Sequence, residues 1–149
     1  MNIPPSDFKA FEFWSEEGYT RNCLARTESY ELLLLCWDSH QATPIHCHNG
    51  EECWVYVVNG VLEEERFEMN ESDDLVLTDK SVYQPADLSY MSDDMGYHLL
   101  RNADAQKAMS LHLYMNPIDQ CSIYDEEEGV FIYKELTYDS VRGKVGQSV

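Results

Sequence analysis

Positive charge is scarce in this chain. Ten Lys and Arg stand against 28 Asp and Glu, a formal net charge of −18 at pH 7. Such a polyanion repels nucleic acid and anionic bilayer surfaces, which argues against both as partners. It also makes any cation that turns inward conspicuous. Long apolar runs are absent too: the longest, Leu32 to Trp37, falls far short of the ~20 residues that span a bilayer. No basic segment followed by an apolar stretch opens the sequence, so no secretion signal is expected. None of the five cysteines (Cys23, Cys36, Cys47, Cys53 and Cys121) forms a C-x-x-C pair, and their number is odd. A disulfide scaffold is disfavoured, and a reducing, cytoplasmic setting is expected. Repeats, low-complexity tracts and linkers are also missing. The 149 residues therefore predict one domain, with its core at about 18–136; a monomer is the expectation, though nothing in the sequence specifies it.

Apolar residues make up 44% of the chain, enough for a packed core. Phe8, Phe11 and Trp14 recur at helical spacing, so a short N-terminal helix is expected over Asp7 to Ser15, capped by Ser6. After that the texture is β. Strands are expected at Tyr30–Trp37, Ile45–His48, Cys53–Val58, Val61–Glu68, Leu75–Thr78, Ser81–Gln84, Tyr97–Arg101, Ala108–Tyr114, Cys121–Tyr124 and Val130–Leu136. Asn59-Gly60 predicts a hairpin between the third and fourth of these. The acidic turn Asp125 to Gly129 separates the last two, and the tail beyond Asp139 is expected to fray. Many short strands broken by turns indicate an all-β sandwich or barrel.

Chemistry concentrates in the histidines. In a strand, alternation puts His46 and His48 on one face and Cys47 on the other. Two such imidazoles can bind a divalent transition metal, but a hydrogen-bonded surface pair fits a lone His-x-His equally well. A third histidine on a later strand shifts the balance, since three neutral imidazoles leave the ion its full charge and open positions. His98 and His112 lie in expected strands, whereas His40 sits in a polar loop and reads as solvated. Ser110, His112 and Tyr114 share one strand face. That face is either turned to water or, inside a barrel, a relay ending in a phenol. Arg21 is either a surface residue or an inward planar fork suited to a carboxylate.

Taken together in order, Tyr19-Thr20-Arg21-Asn22, Leu35-Cys36-Trp37, Ile45-His46-Cys47-His48, Cys53 with Gly60, His98 with Asn102, and Ser110-Leu111-His112-Leu113-Tyr114 resemble the cysteine dioxygenases, iron-dependent thiol dioxygenases of the cupin superfamily. The resemblance runs from about Gly18 to Asp125. It implies a cupin, a jelly-roll-like small β-barrel, that adds both atoms of dioxygen to the thiol of L-cysteine. His46, His48 and His98 would hold Fe(II). Arg21 would bind the substrate carboxylate with Tyr19 beside it, and Trp37 would be a pocket-side aromatic. Tyr114 would hydrogen-bond near the carboxylate and the oxygen site, positioned by His112 and Ser110. Cys53 takes the place of the glutamate that completes the metal site in most cupins, and with Tyr114 resembles the pair that becomes a thioether crosslink in some members.

Three other readings remain open: a 3-mercaptopropionate or other thiol dioxygenase, a non-catalytic metal- or small-molecule-binding cupin, and a cupin isomerase or hydrolase with Glu52 as a fourth ligand. Related 3-mercaptopropionate enzymes tend to carry glutamine where Arg21 stands. In an extended segment Glu52 and Cys53 face opposite ways, so only one of them can point at the metal.

Overall fold

A computed structural model describes residues 2–148. Twelve strands are formed: β1 (Thr20–Arg26), β2 (Tyr30–Trp37), β3 (Cys53–Asn59), β4 (Leu62–Met69), β5 (Leu75–Tyr83), β6 (Leu88–Met91), β7 (Tyr97–Asn102), β8 (Ala108–Met115), β9 (Gln120–Asp125), β10 (Val130–Glu135), β11 (Ser140–Val141) and β12 (Lys144–Val145). They make a seven-stranded sheet of order β12-β11-β1-β2-β8-β3-β6, a three-stranded sheet β5-β4-β7 and a two-stranded ribbon β10-β9. The architecture is all-β as expected, built from separate sheets rather than a closed barrel.

Strand β2 explains the layering. Leu33, Leu35 and Trp37 join the principal core with Cys53, Val55, Val57, Leu62 and Leu100. The alternate residues Leu34 and Cys36 pack in a second cluster with Phe8, Val58, Met109 and Leu111. A strand covered on both faces reads as an unbroken apolar run, which is why Leu32 to Trp37 does.

The expected N-terminal helix is not formed. Only a 3-10 turn, Pro5–Phe8, is present, without a side-chain cap. Phe8, Phe11 and Trp14 do pack, but onto the outer face of the large sheet. The carbonyls of Phe13 and Ser15 are taken by Thr20 Oγ1 and by Gln41 Nε2 at 2.7 Å rather than by a helical ladder. So short a segment is marginal as an isolated helix, and side-chain hydrogen bonds from β1 and the loop after β2 outcompete it.

The Asn59-Gly60 hairpin is also corrected. β3 pairs with β6 and β8, and β4 pairs with β5 and β7. The chain therefore turns at Gly60 (φ 78°) from the large sheet into the three-stranded one. A Cβ on Gly60 would lie 2.5 Å from Ala108 Cβ, so the glycine serves a close crossing between layers.

Two further expectations change. Leu75–Thr78 and Ser81–Gln84 merge into β5. The tail does not simply fray: β11 lies parallel to β1, and buried Ser140 donates to Asn22 Oδ1 at 2.7 Å.

Candidate metal centre and substrate pocket

Ile45–His48 is not a strand of the expected kind. Pro44 has no N–H, and beyond the segment Asn49 (φ 52°) and Gly50 (φ 88°) turn the chain. Bridges nevertheless stitch it between β7 and β9. His46 N–H donates to His98 O at 2.9 Å and His98 N–H to His46 O at 3.0 Å. On the other side Cys47 N–H donates to Ser122 O at 3.1 Å and Tyr124 N–H to Ile45 O at 2.8 Å. The Asp93 carboxylate fixes the turn by accepting the backbone N–H of His48 at 2.8 Å and that of Gly50.

This arrangement brings His46, His48 and His98 together, with one ring nitrogen from each within 4.8 Å of the others. His48 Nε2 and His98 Nε2 face one another at 3.2 Å. The Pro44 carbonyl, which can only accept, lies 2.9 Å from His46 Nδ1, so that nitrogen carries its proton and Nε2 is left with a lone pair. Burial, and then the neighbouring His98, push His46 down to about 3 and His48 well below the ordinary imidazole value. Neutral imidazoles are the form that ligates, so the donor set fits a divalent transition metal.

A small cavity of about 40 Å³ adjoins the cluster, lined by Tyr19, Arg21, His46, His48, His112 and Tyr114 among others. Tyr19, Arg21, Pro44, Lys134 and Leu136 also line an outer depression of about 370 Å³, which makes these residues the mouth. A larger open groove, about 800 Å³, passes Arg26, Asp119 and Arg142 but has no histidine and none of the residues above.

Arg21 enters from β1. Its Nη1 donates to Thr137 O at 2.7 Å and its Nη2 lies 4.0 Å from Glu31 Oε1. The guanidinium also sits over the Tyr138 ring, 5.4 Å from its centroid. Glu31 is fully buried and shared with Arg26, Tyr138 and the Ile118 N–H.

β8 turns Ser110, His112 and Tyr114 away from the N-terminal segment, while Met109 and Leu111 pack against it. The polar face is thus buried. Trp37 Nε1 donates to Ser110 Oγ at 2.9 Å, and Ser110 Oγ lies 2.8 Å from His112 Nε2. His112 and Tyr114 then meet by ring stacking, centroids 6.3 Å apart. The relay is therefore hydrogen-bonded as far as the imidazole and continued by packing. Trp37 is fully buried and stacked on Tyr19 at 4.8 Å, one layer behind the cavity wall rather than on it.

Cys53 and Glu52 separate as alternation requires. Cys53 is fully buried, and exposed Glu52 accepts from Tyr90 OH at 2.6 Å on the outside. Burial pushes the Cys53 thiol up, opposed by the neighbouring Tyr114 phenol. Burial likewise raises the Tyr114 phenol well above its ordinary value, with Cys53 adding to the effect.

Sequence reasoning missed Glu64, whose carboxylate lies 2.8 Å from His98 Nδ1. Its signal was alternation: Glu64 shares a strand face with buried Leu62, so one acid of the Glu63-Glu64-Glu65 run points inward. Asp93 and the Pro44 carbonyl had no such signal.

The family model for cysteine dioxygenase type I matches residues 2–127. The chain belongs to that family. Human cysteine dioxygenase type 1 is 28% identical over 143 residues, covering 93% of this chain and 72% of the human protein. Among solved structures, an RmlC-like cupin protein from Desulfovibrio desulfuricans superposes with a TM-score of 0.54 at 15% identity, over 72% of this chain and 91% of that one. A Klebsiella pneumoniae protein with a double-stranded β-helix domain gives 0.55 at 13% identity, over 91% and 99%. These two share the fold. Within the cysteine dioxygenase type I family, the cavity described above is this member's candidate active site.

Proposed function

We propose that this family member is an iron-dependent cysteine dioxygenase, converting L-cysteine and dioxygen to cysteine sulfinic acid, with His46, His48 and His98 as the metal ligands. Iron(II) held by the three imidazoles would supply a cation that favours the thiolate and the redox chemistry that adds both oxygen atoms to sulfur. The protein's own part is orientation and charge. Arg21 receives the substrate carboxylate in a planar fork, with Tyr19 beside it. Tyr114 stays protonated, because burial disfavours the phenolate, and donates a hydrogen bond to the carboxylate or to oxygen. The Trp37–Ser110–His112 chain locks the imidazole that packs on Tyr114.

One observation carries the reading. In a chain of net charge −18, a buried guanidinium lines one cavity with His46 and His48, two members of the converging three-histidine cluster. A free carboxylate beside a metal-held thiol is what that pairing of cation and metal ligands suits. Cytoplasmic placement and a monomeric state belong to the same proposal.

The test is oxygen uptake by iron-loaded protein with L-cysteine, 3-mercaptopropionate and cysteamine in parallel, with the sulfur product identified by mass spectrometry. Uptake is expected with cysteine first, giving the sulfinic acid. Uptake fastest with 3-mercaptopropionate would move the protein to the neighbouring thiol dioxygenases. No uptake with any thiol would leave a metal-binding cupin without this activity.

A further inference from the structure

Three neutral imidazoles leave the charge of a divalent ion uncompensated, yet a carboxylate lies one ring away. Glu64 is 1% exposed and stands on the far side of the His98 ring from His48. Its two oxygens have divided roles. Oε1 accepts from Arg66 Nε at 3.0 Å, Tyr83 OH at 3.1 Å and Ser89 Oγ at 3.2 Å. Oε2 faces His98 Nδ1 at 2.8 Å, with Ser89 Oγ further off at 3.4 Å. Arg66 is itself held by the Tyr90 carbonyl at 2.7 Å, which fixes the guanidinium against Oε1. The Arg66 guanidinium and the two hydroxyls gathered on Oε1 favour the ionised carboxylate. A carboxylate only accepts, so its partner on the ring must be an N–H.

We infer that Glu64 is a positioning residue for the metal centre: anchored through Oε1, it accepts the Nδ1 proton of His98 at Oε2 and thereby presents the Nε2 lone pair to the metal. The inference rests on the reading of His46, His48 and His98 as ligands. It assigns to this chain an outer carboxylate that raises the basicity of His98 and offsets the ion's charge without occupying a coordination position.

Glu64→Gln tests this with no change of shape. The three donors at Oε1 require the amide oxygen there, which turns the amide NH2 toward His98 and makes Nδ1 an acceptor. The ring proton then moves to Nε2, where it blocks ligation. In long-range proton–nitrogen NMR spectra of the metal-free protein, His98 Nδ1 is expected to bear a proton in the wild type and to lose it in Glu64→Gln. Co(II) affinity, measured by competition with a chelator, is expected to fall about 10–100-fold. A merely structural role would lower the melting temperature while leaving the proton position and the Co(II) affinity of the folded protein unchanged, and that result overturns the inference. Should Glu64→Gln not fold, the wild-type spectrum decides: a His98 without a proton on Nδ1 overturns it. Wild-type protein that binds no Co(II) removes the metal reading and this inference with it, an outcome distinct from equal binding by both proteins.

Discussion

Cys53 and Tyr114 stand directly opposite one another on neighbouring antiparallel strands, both side chains buried in the core of the protein. Opposed residues on one sheet face bring their Cβ atoms within about 4.5–5.5 Å, so sulfur can reach a ring carbon adjacent to the phenol without backbone movement. Joining them removes the thiol hydrogen and one ring hydrogen, two electrons in all, for which dioxygen is the oxidant. Protein that has turned over cysteine is expected to contain a species lighter by two hydrogens, seen by intact mass spectrometry and absent from Cys53→Ser. Its absence from turned-over wild type would mean the pair packs together without being joined.

Arg21 offers its guanidinium to the cavity while bound to Thr137 O and near Glu31. Arg21→Gln keeps a donor but loses the charge. Charge-assisted hydrogen bonds contribute about 1.5–3 kcal/mol, so kcat/KM for cysteine should fall roughly 10–100-fold. Cysteamine, which lacks the carboxylate, should be turned over about as well by the variant as by the wild type. Equal losses for both substrates would show that Arg21 supports the fold rather than the substrate.

How far the sequence specified this site depends on the range of the forces involved. Alternation along a strand is local, and it correctly separated Cys53 from Glu52 and grouped Ser110, His112 and Tyr114. The turn at Asn59-Gly60 was legible as well, but its destination was not, because which sheet receives β4 is decided by packing against Ala108 and β7. Phe8, Phe11 and Trp14 carried a true signal of burial and a false one of helix, since the surface they cover belongs to β2, β3 and β8. Glu64 was half legible: its face could be read, but Arg66, Tyr83, Ser89 and His98 converge on it from three different strands besides its own. Asp93 serves the histidine loop across 45 residues of sequence, a contact that no local pattern encodes.

Buried histidines make the metal-free protein sensitive to acid. Burial, with His98 and Arg21 adding to it, pushes His112 down to about 3, against 6.5 for a free imidazole. The unfolded chain therefore takes up this proton first. The contribution is complete above about pH 6.5 and is lost progressively as the pH falls toward 3, at up to ~1.4 kcal/mol per pH unit. His46 and His48 shift in the same direction and steepen the fall. Denaturant unfolding between pH 6 and 4 should show His112→Gln with a pH slope shallower than wild type by about that amount, whatever its stability at pH 7. Parallel slopes would mean that His112 is already protonated in the fold.

Gly60 ties the two sheets together at the point where the sequence suggests only a hairpin. Its φ of 78° lies in the left-handed region, and a Cβ there meets both Ala108 Cβ at 2.5 Å and the Ala108 backbone at 2.8 Å. Gly60→Ala should therefore combine left-handed strain of about 1–2 kcal/mol with overpacking of about 1–3 kcal/mol, seen as a lowered denaturation midpoint. Adding Ala108→Gly removes the side-chain clash but neither the backbone contact nor the strain, so the double variant should recover only part of the loss. Full recovery would show that the backbone conformation at Gly60 costs an alanine nothing. A single Gly60→Ala variant as stable as wild type would mean that the layers can part at this crossing. In that case the Ser110–His112–Tyr114 face, carried on the strand that begins at Ala108, should shift with it and change KM for cysteine.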